Sequence, residues 1–489
     1  MKRRSQWAGV IIALLLAMVL TFIGCSSDAS GTMKITTSSQ KALEEFEQGR
    51  ELWERLRFLE AREYFQRAVA EDSSFALAYL HLAFTAQSAR GFFENQEKAV
   101  ALADNVSACE RYWILGSEAG ANGEPMRQRQ LFRSMIDSCP DDARAHNVLG
   151  NHYFGQQEWE LAIEQYEMAI DIDSTFTQPY NQLGYALRFM GDFEQAEEAF
   201  KKYVELIPRD PNPYDSYAEL LMKMGRFDES IEKYTKALDV KPDFLPSHVG
   251  IASNYVYKDM HVEATKQMKQ MYGLTNSDGQ TRAVLQTMAC IDVDNGDTDN
   301  ALQKFEVMMG VAQKISDFPS ISGDYYNMGN VLYEAGRYEE AMAHYKKGLE
   351  AIEQSDVSNE VKGNTRRFHQ YCEARLALAQ GDKTRAASLA AKFMDGAESN
   401  RNTFQIWLAH QLMGRLAMAD KEYDIALDEL QQANQQNPYV FFMMAQCYKS
   451  LGDMENARTY FDKAANFNQP IFLNYAYVRQ RADRLLALI

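Results

Sequence analysis

The segment His146-Asn147-Val148-Leu149-Gly150 returns 34 residues later as Tyr180-Asn181-Gln182-Leu183-Gly184. It returns again, at the same spacing, as Tyr214-Asp215-Ser216-Tyr217-Ala218 and as His248-Val249-Gly250-Ile251-Ala252. Each copy ends on Gly or Ala. Twelve residues beyond comes a second small residue (Ala162, Ala196, Ser230, Ala264), and four further on a bulky one (Tyr166, Phe200, Tyr234, Met268). Pro208 and Pro242 close two of the copies. A fixed period of this size marks stacked supersecondary units, none of which buries its apolar face alone.

Extending the register outward gives twelve units, starting near Ala42, Ala76, Cys109, Ala143, Thr177, Pro211, Leu245, Arg282, Ser322, Arg367, Trp407 and Pro438. The eighth position is Gly or Ala in all twelve, and the twentieth is small in ten, with Asn95 and Gln128 the exceptions. From Leu245 to Trp407 the spacing stretches to between 37 and 45 residues, which predicts longer helices or loops there. Glycine recurs at a turn position, as Gly123, Gly191, Gly225, Gly296, Gly336, Gly381 and Gly452, and glycine suits a helix end because it tolerates positive φ. The pattern resembles the tetratricopeptide repeat family. The resemblance implies an all-α fold, a right-handed α-solenoid of about twelve helix hairpins. The small residues let the two helices of a hairpin approach, and the first helices line a concave face. On this reading residues 42–281 form one array, 282–470 a second array of longer repeats, and 471–489, with Arg479, Arg481, Asp483 and Arg484, a capping helix.

The N-terminus carries a different signal. Lys2, Arg3 and Arg4 precede an uncharged, mostly apolar run from Trp7 to Ile23, the pattern of an export signal. Phe22-Ile23-Gly24-Cys25 resembles the bacterial lipobox, with Phe22 in place of the preferred Leu. That resemblance implies that residues 1–24 are a signal peptide and that Cys25 becomes a lipidated N-terminus. It also implies palmitate-type acylation, and Ser26 after the cysteine points to the outer membrane. More than one acyl chain gives stable anchoring. A plain signal peptide and an uncleaved anchor are the alternatives. The Ser/Thr-rich stretch from Ser26 to Gln40 reads as a flexible tether, so 25–41 links anchor to array.

By resemblance, repeat positions two, five, nine, twelve and thirteen face the concave side. Those positions hold Arg144, Asn147, Asn151 and Phe154, then Gln178, Asn181, Tyr185, Arg188 and Phe189, then Asn212, Asp215 and Glu219, followed by Met222 and Lys223. Amide side chains pair with peptide backbone, and aromatic rings offer flat apolar area. A protein or peptide partner in a groove and a merely solvated surface both fit. Asn147 stands where the family's carboxylate clamp needs Lys, which argues against that mode of tail binding. The net charge of −17, from 68 acidic and 51 basic residues, makes nucleic acid a poor partner.

No HExxH, phosphate loop, dinucleotide turn or nucleophile elbow occurs. His146, His248 and His410 fall at repeat position four, where a packed core residue is expected. The Asp292–Asp297 run approaches a calcium loop, but its glycine comes one place early and the closing Glu is missing. No cofactor or metal is therefore expected, and no catalytic residue. Cys290, Cys372 and Cys447 sit inside first helices as small apolar residues. Cys109 and Cys139 take the first and thirty-first positions of one unit, at the same end of an antiparallel pair. After export they can form a disulfide; two unpaired thiols is the other reading. Together these readings give a lipid-anchored envelope protein that is not an enzyme and that binds a partner as scaffold or assembly factor. A glycan-uptake lipoprotein and the helical superstructure of a peptidoglycan-active enzyme are the alternatives.

Overall fold

The computed structural model describes residues 31–489 apart from 87, 88, 123 and 358. The export signal and Cys25 lie outside the described residues, as does Gly123. The described residues carry 25 α-helices, one short 3-10 turn and no strand. The first 24 helices form twelve consecutive antiparallel hairpins. The chain divides between Ile207 and Pro208 into two compact units.

The first unit holds five hairpins: α1 (Gln40–Glu54) with α2 (Phe58–Glu71), α3 (Ala76–Phe84) with α4 (Ala89–Leu102), α5 (Ala108–Ala121) with α6 (Pro125–Ser138), α7 (Ala143–Gly155) with α8 (Trp159–Ile172), and α9 (Thr177–Met190) with α10 (Phe193–Leu206). The second unit holds seven. These are α11 (Pro211–Lys223) with α12 (Phe227–Val240), α13 (Leu245–Tyr257) with α14 (His261–Tyr272), α15 (Asp278–Asp294) with α16 (Thr298–Lys314), and α17 (Phe318–Glu334) with α18 (Tyr338–Gln354). They continue with α19 (Asn359–Ala379) and α20 (Lys383–Ser399), α21 (Thr403–Asp420) and α22 (Tyr423–Gln432), and α23 (Pro438–Leu451) and α24 (Met454–Ala465). A last helix, α25 (Leu473–Leu486), follows. The boundary expected at 281/282 is not where the chain divides. Repeat length changes there, but α14 packs directly on α15, so the change falls inside one body.

The hairpin chemistry is visible at the eighth position. A β-carbon on Gly150 would lie 2.6 Å from the Tyr166 ring, and one on Gly329 would lie 2.3 Å from that of Tyr345. The ring of the second helix therefore rests on the bare backbone of the first. The stretched repeats gain helix rather than loop. α15, α17 and α21 begin four residues before the starts read from the register, at Asp278, Phe318 and Thr403, which is about one added turn.

The turns share one backbone device. Gly191, Gly225, Gly296, Gly336, Gly381 and Gly452 all have positive φ, between 75° and 85°. Leu56, Gln157, Asp259 and Lys421 occupy the same repeat position and adopt the same left-handed conformation at φ 56–64°. After four of the glycines an aspartate caps the second helix. Asp192, Asp297, Asp382 and Asp453 accept from the backbone N–H of Gln195, Asn300, Arg385 and Asn456, which satisfies an orphan donor of the helix start.

Two terminal stretches depart from expectation. From Gly31 the supposed tether is an extended strap laid on the first unit. Met33 N donates to Asp142 Oδ2 at 2.9 Å, Thr36 N to Glu110 Oε1 at 2.9 Å and Ser38 N to Asp72 Oδ2 at 2.9 Å. Burial pushes the Asp72 carboxyl up, but hydrogen bonds from Ser74, Thr37 and Ser38 overcome it and hold it well below its usual range. The second departure is α25. It packs on α24, as a cap would, but also on α15 and α23. The segment leading into it crosses first helices of its own unit. Lys223 Nζ donates to Phe467 O at 2.7 Å, Ile471 N to Ser253 Oγ at 2.9 Å, and the Tyr257 hydroxyl to Gln469 O. Arg479 then grips both oxygens of buried Asp294 at 2.7 Å. The chain's own end thus lies across the first-helix face of the second unit.

Candidate partner-binding face

In the first unit, α7 and α9 bring nine of the expected residues onto neighbouring first helices. Arg144 Nε donates to Glu54 Oε1 at 2.6 Å, and its guanidinium lies 5.1 Å from the Phe176 ring centre. Burial works against that charge, yet Glu54 and Asp142 more than compensate and raise its pKa. Asn147 Nδ2 donates to Gln178 Oε1 at 3.2 Å, so an amide bridge links successive repeats. Asn147 and Asn181 are buried, and the side-chain oxygen of each has no hydrogen-bond partner among the described residues. Asn151 is exposed and accepts from the Tyr166 hydroxyl at 3.0 Å, joining the two helices of its hairpin.

The aromatic residues are placed differently from the expected open platform. Phe189 stacks on Trp159 at 4.7 Å, and Phe154 meets Trp159 edge-on at 5.1 Å. Both rings are half-buried and pack at the hairpin ends. Trp159 was not singled out from the sequence; its signal was a bulky residue at the seventeenth repeat position. Arg188 lies over Tyr185 and Phe189 at 4.9 and 5.2 Å.

In the second unit, Asn212 lies in the first turn of α11, where its backbone N–H meets the capping carboxylate of Asp210 at 3.1 Å. Asp215 is buried and accepts from Ser247 Oγ at 2.7 Å. Burial, with Glu219 one turn further on, pushes the Asp215 carboxyl well up; Ser247 opposes this. This face also receives the C-terminal segment described above.

The histidines at repeat position four pair with nearby groups, and three free thiols are buried. His146 Nδ1 lies 3.0 Å from Gln165, His248 Nε2 lies 2.9 Å from Pro242 O, and His410 Nδ1 lies 2.8 Å from Glu429. Burial pushes the thiols of Cys290, Cys372 and Cys447 up to about 12. In the run 292–297, Asp294 is engaged by Arg479 and His261, and Gly296 forms the repeat turn at φ 79°. The structure places Cys109 and Cys139 as a disulfide with a Cα–Cα distance of 5.9 Å.

Family models described as TPR repeat and tetratricopeptide repeat match residues 150–191, 177–210, 212–244, 323–354 and 438–469. No curated protein matches the sequence. Among solved structures, the chain is similar to a tetratricopeptide repeat protein from Parabacteroides merdae at 14% identity, covering 56% of this chain and 94% of that one, with a TM-score of 0.35. It is similar to a thermophilic TPR protein of Thermus thermophilus at 18% identity, covering 35% and 92%, with a TM-score of 0.30. It is also similar to MamA from Desulfovibrio magneticus at 16% identity, covering 34% and 94%, with a TM-score of 0.31.

Proposed function

Because the chain is a tetratricopeptide repeat protein, we propose that it holds a protein or peptide partner, as a scaffold or assembly factor, on the α7–α9 face of its first unit. It does so from the bacterial cell envelope, anchored through a lipid on Cys25, and acts by binding rather than by turnover. The observation that carries the binding reading is the amide pair at consecutive repeats. Asn147 and Asn181 each keep one side-chain oxygen without a donor. A buried acceptor left unmatched costs about 1–3 kcal/mol; both oxygens are shielded in this structure, and turning the amides outward lets an extended peptide, with backbone N–H donors at a regular spacing, pair with them. The corresponding face of the second unit meets the chain's own residues 467–479 instead. The lipobox-like Phe22–Cys25 run supports export, and a Cys109–Cys139 pair suits an oxidising compartment.

Two experiments in cells test this reading. Wild type should fractionate with membranes and Cys25→Ala should not; a variant that stays in the membrane fraction overturns the lipid anchor. A photocrosslinking residue placed at Tyr185 should give an adduct of discrete mass, whereas one at Leu161 on α8 should not. Identical patterns from the two positions overturn the assignment of the face.

A further inference from the structure

Two arginines occupy the same repeat position on the longest first helices of the second unit, Arg375 on α19 and Arg415 on α21. Both line one cavity of about 150 Å³. Their surroundings differ. Arg375 donates to Asn330 Oδ1 at 3.0 Å and to Glu334 Oε1 at 3.4 Å, and lies over the Tyr333 ring at 4.1 Å. Arg415 makes no hydrogen bond or ion pair among the described residues and only lies over Tyr439 at 4.7 Å. Among the described residues its Nε is buried without a partner, as are Arg375 Nε and the hydroxyl of Tyr477, which also lines the cavity.

The charge is unbalanced as well. Glu334 is the one carboxylate among the lining residues, and it is already shared. It accepts from the Tyr439 hydroxyl at 3.1 Å and from Arg481 at 3.3 Å, besides Arg375. Arg415 is half-buried with its Nε shielded from water, and a shielded N–H of a charged group left without an acceptor is destabilising. Stacking on a tyrosine does not satisfy that N–H, and the terminal nitrogens stay open to a ligand. We infer that the cavity between α17, α19, α21 and α25 is a binding site for a carboxylate carried on a small apolar body, with Arg415 as the group that takes the anion.

The walls select among anions. Phe368 and Leu408 form its apolar side, the amides of Asn330, Gln411 and Asn474 also line it, and Phe404, 57% exposed, borders it and gives it a mouth at the surface. The planar guanidinium fork matches a carboxylate in two parallel hydrogen bonds. A dianion such as phosphate meets the Glu334 charge and the Phe368–Leu408 side of the same cavity, which favours a single negative charge on an apolar body. The ligand is either a free small acid or the C-terminal residue of a chain. The inference is independent of the reading of the first unit.

Isothermal titration of the full chain with four probes tests it: 3-phenylpropanoate, its amide, a short peptide ending in Phe with a free carboxylate, and the same peptide amidated. The expected result is that at least one free acid binds and that its amide binds at least tenfold more weakly. Binding of the peptide acid assigns the site to chain ends; binding of 3-phenylpropanoate alone assigns it to free small acids. Arg415→Met and, separately, Leu408→Trp, which fills the cavity, should each weaken the acid at least tenfold. The acid–amide comparison is made on the wild type, so it does not depend on either variant folding. Equal affinity for acid and amide, no binding of any probe at millimolar concentration, or unchanged affinity in a folded Arg415→Met variant would overturn the assignment.

Discussion

His81 makes the first unit acid-sensitive in a way that can be calculated. The ring is fully buried on α3, with Phe46, Trp53 and Phe65 centred 5.0 Å away and Trp113 at 5.2 Å. Its Nδ1 contacts Leu77 O at 2.9 Å, while Nε2 has no partner among the described residues. Burial brings its pKa down to about 3 from 6.5; the Leu77 carbonyl opposes the shift, and Arg50 and Arg144 add to it. Because the folded value lies below the unfolded one, the unfolded chain takes up the proton first. Stability is full above about pH 6.5 and falls as the pH drops toward 3. At pH 5 the loss from this group alone is about 2 kcal/mol, or ~4–8 °C in Tm for a unit of this size. The assay is denaturant unfolding of wild type and His81→Phe at pH 7.5 and pH 5, followed by tryptophan fluorescence, to which Trp53 and Trp113 beside the ring contribute. The variant should gain about 2 kcal/mol on the wild type between the two pH values, whatever its starting stability. A difference that does not change with pH would refute the account of His81 as a buried neutral base.

Three further outcomes follow from named contacts. Gly150→Ala should destabilise by about 1–3 kcal/mol, because the new β-carbon meets the Tyr166 ring at 2.6 Å; Gly155→Ala, at an open site on the same helix, should not destabilise, and thermal melts compare them directly. Gln157→Gly and Lys421→Gly should each stabilise by ~0.5–1 kcal/mol in chemical denaturation, since both residues hold a left-handed backbone at φ 61° and 64°. Arg479→Met should cost about 3–5 kcal/mol by urea titration, because it strips buried Asp294 of its bidentate partner. Burial would raise the Asp294 carboxyl, and the bonds from Arg479 and His261 are what hold it below its usual range.

The sequence makes the hairpins legible because their chemistry is local. A bare backbone at Gly150 or Gly184 must face a ring 16 residues later, and a glycine must end a helix at Gly191 or Gly452. The same turn at Leu56 and Lys421 is hidden, because nothing in those side chains announces a left-handed backbone. The strap at 31–39 has no apolar periodicity. It is held by backbone and hydroxyl donors to carboxylates 34–109 residues away, a pairing no local window shows. The course of α25 is likewise set by distant partners, Asp294 and Ser253. Repeat position places Phe154 and Phe189 on the groove side and does not reveal Trp159 between them. The Arg375–Arg415 cavity has a signal in the sequence: both arginines stand at repeat position nine, inside the stretched repeats.

The binding claim is tested most directly by quantifying the Tyr185 photoadduct in cells, once with Asn147 and Asn181 intact and once with both changed to Leu. The adduct should fall at least tenfold in the double variant while the protein level and membrane fraction hold. An adduct of unchanged yield would mean that the amide pair holds no partner, and the α7–α9 face would lose its proposed role.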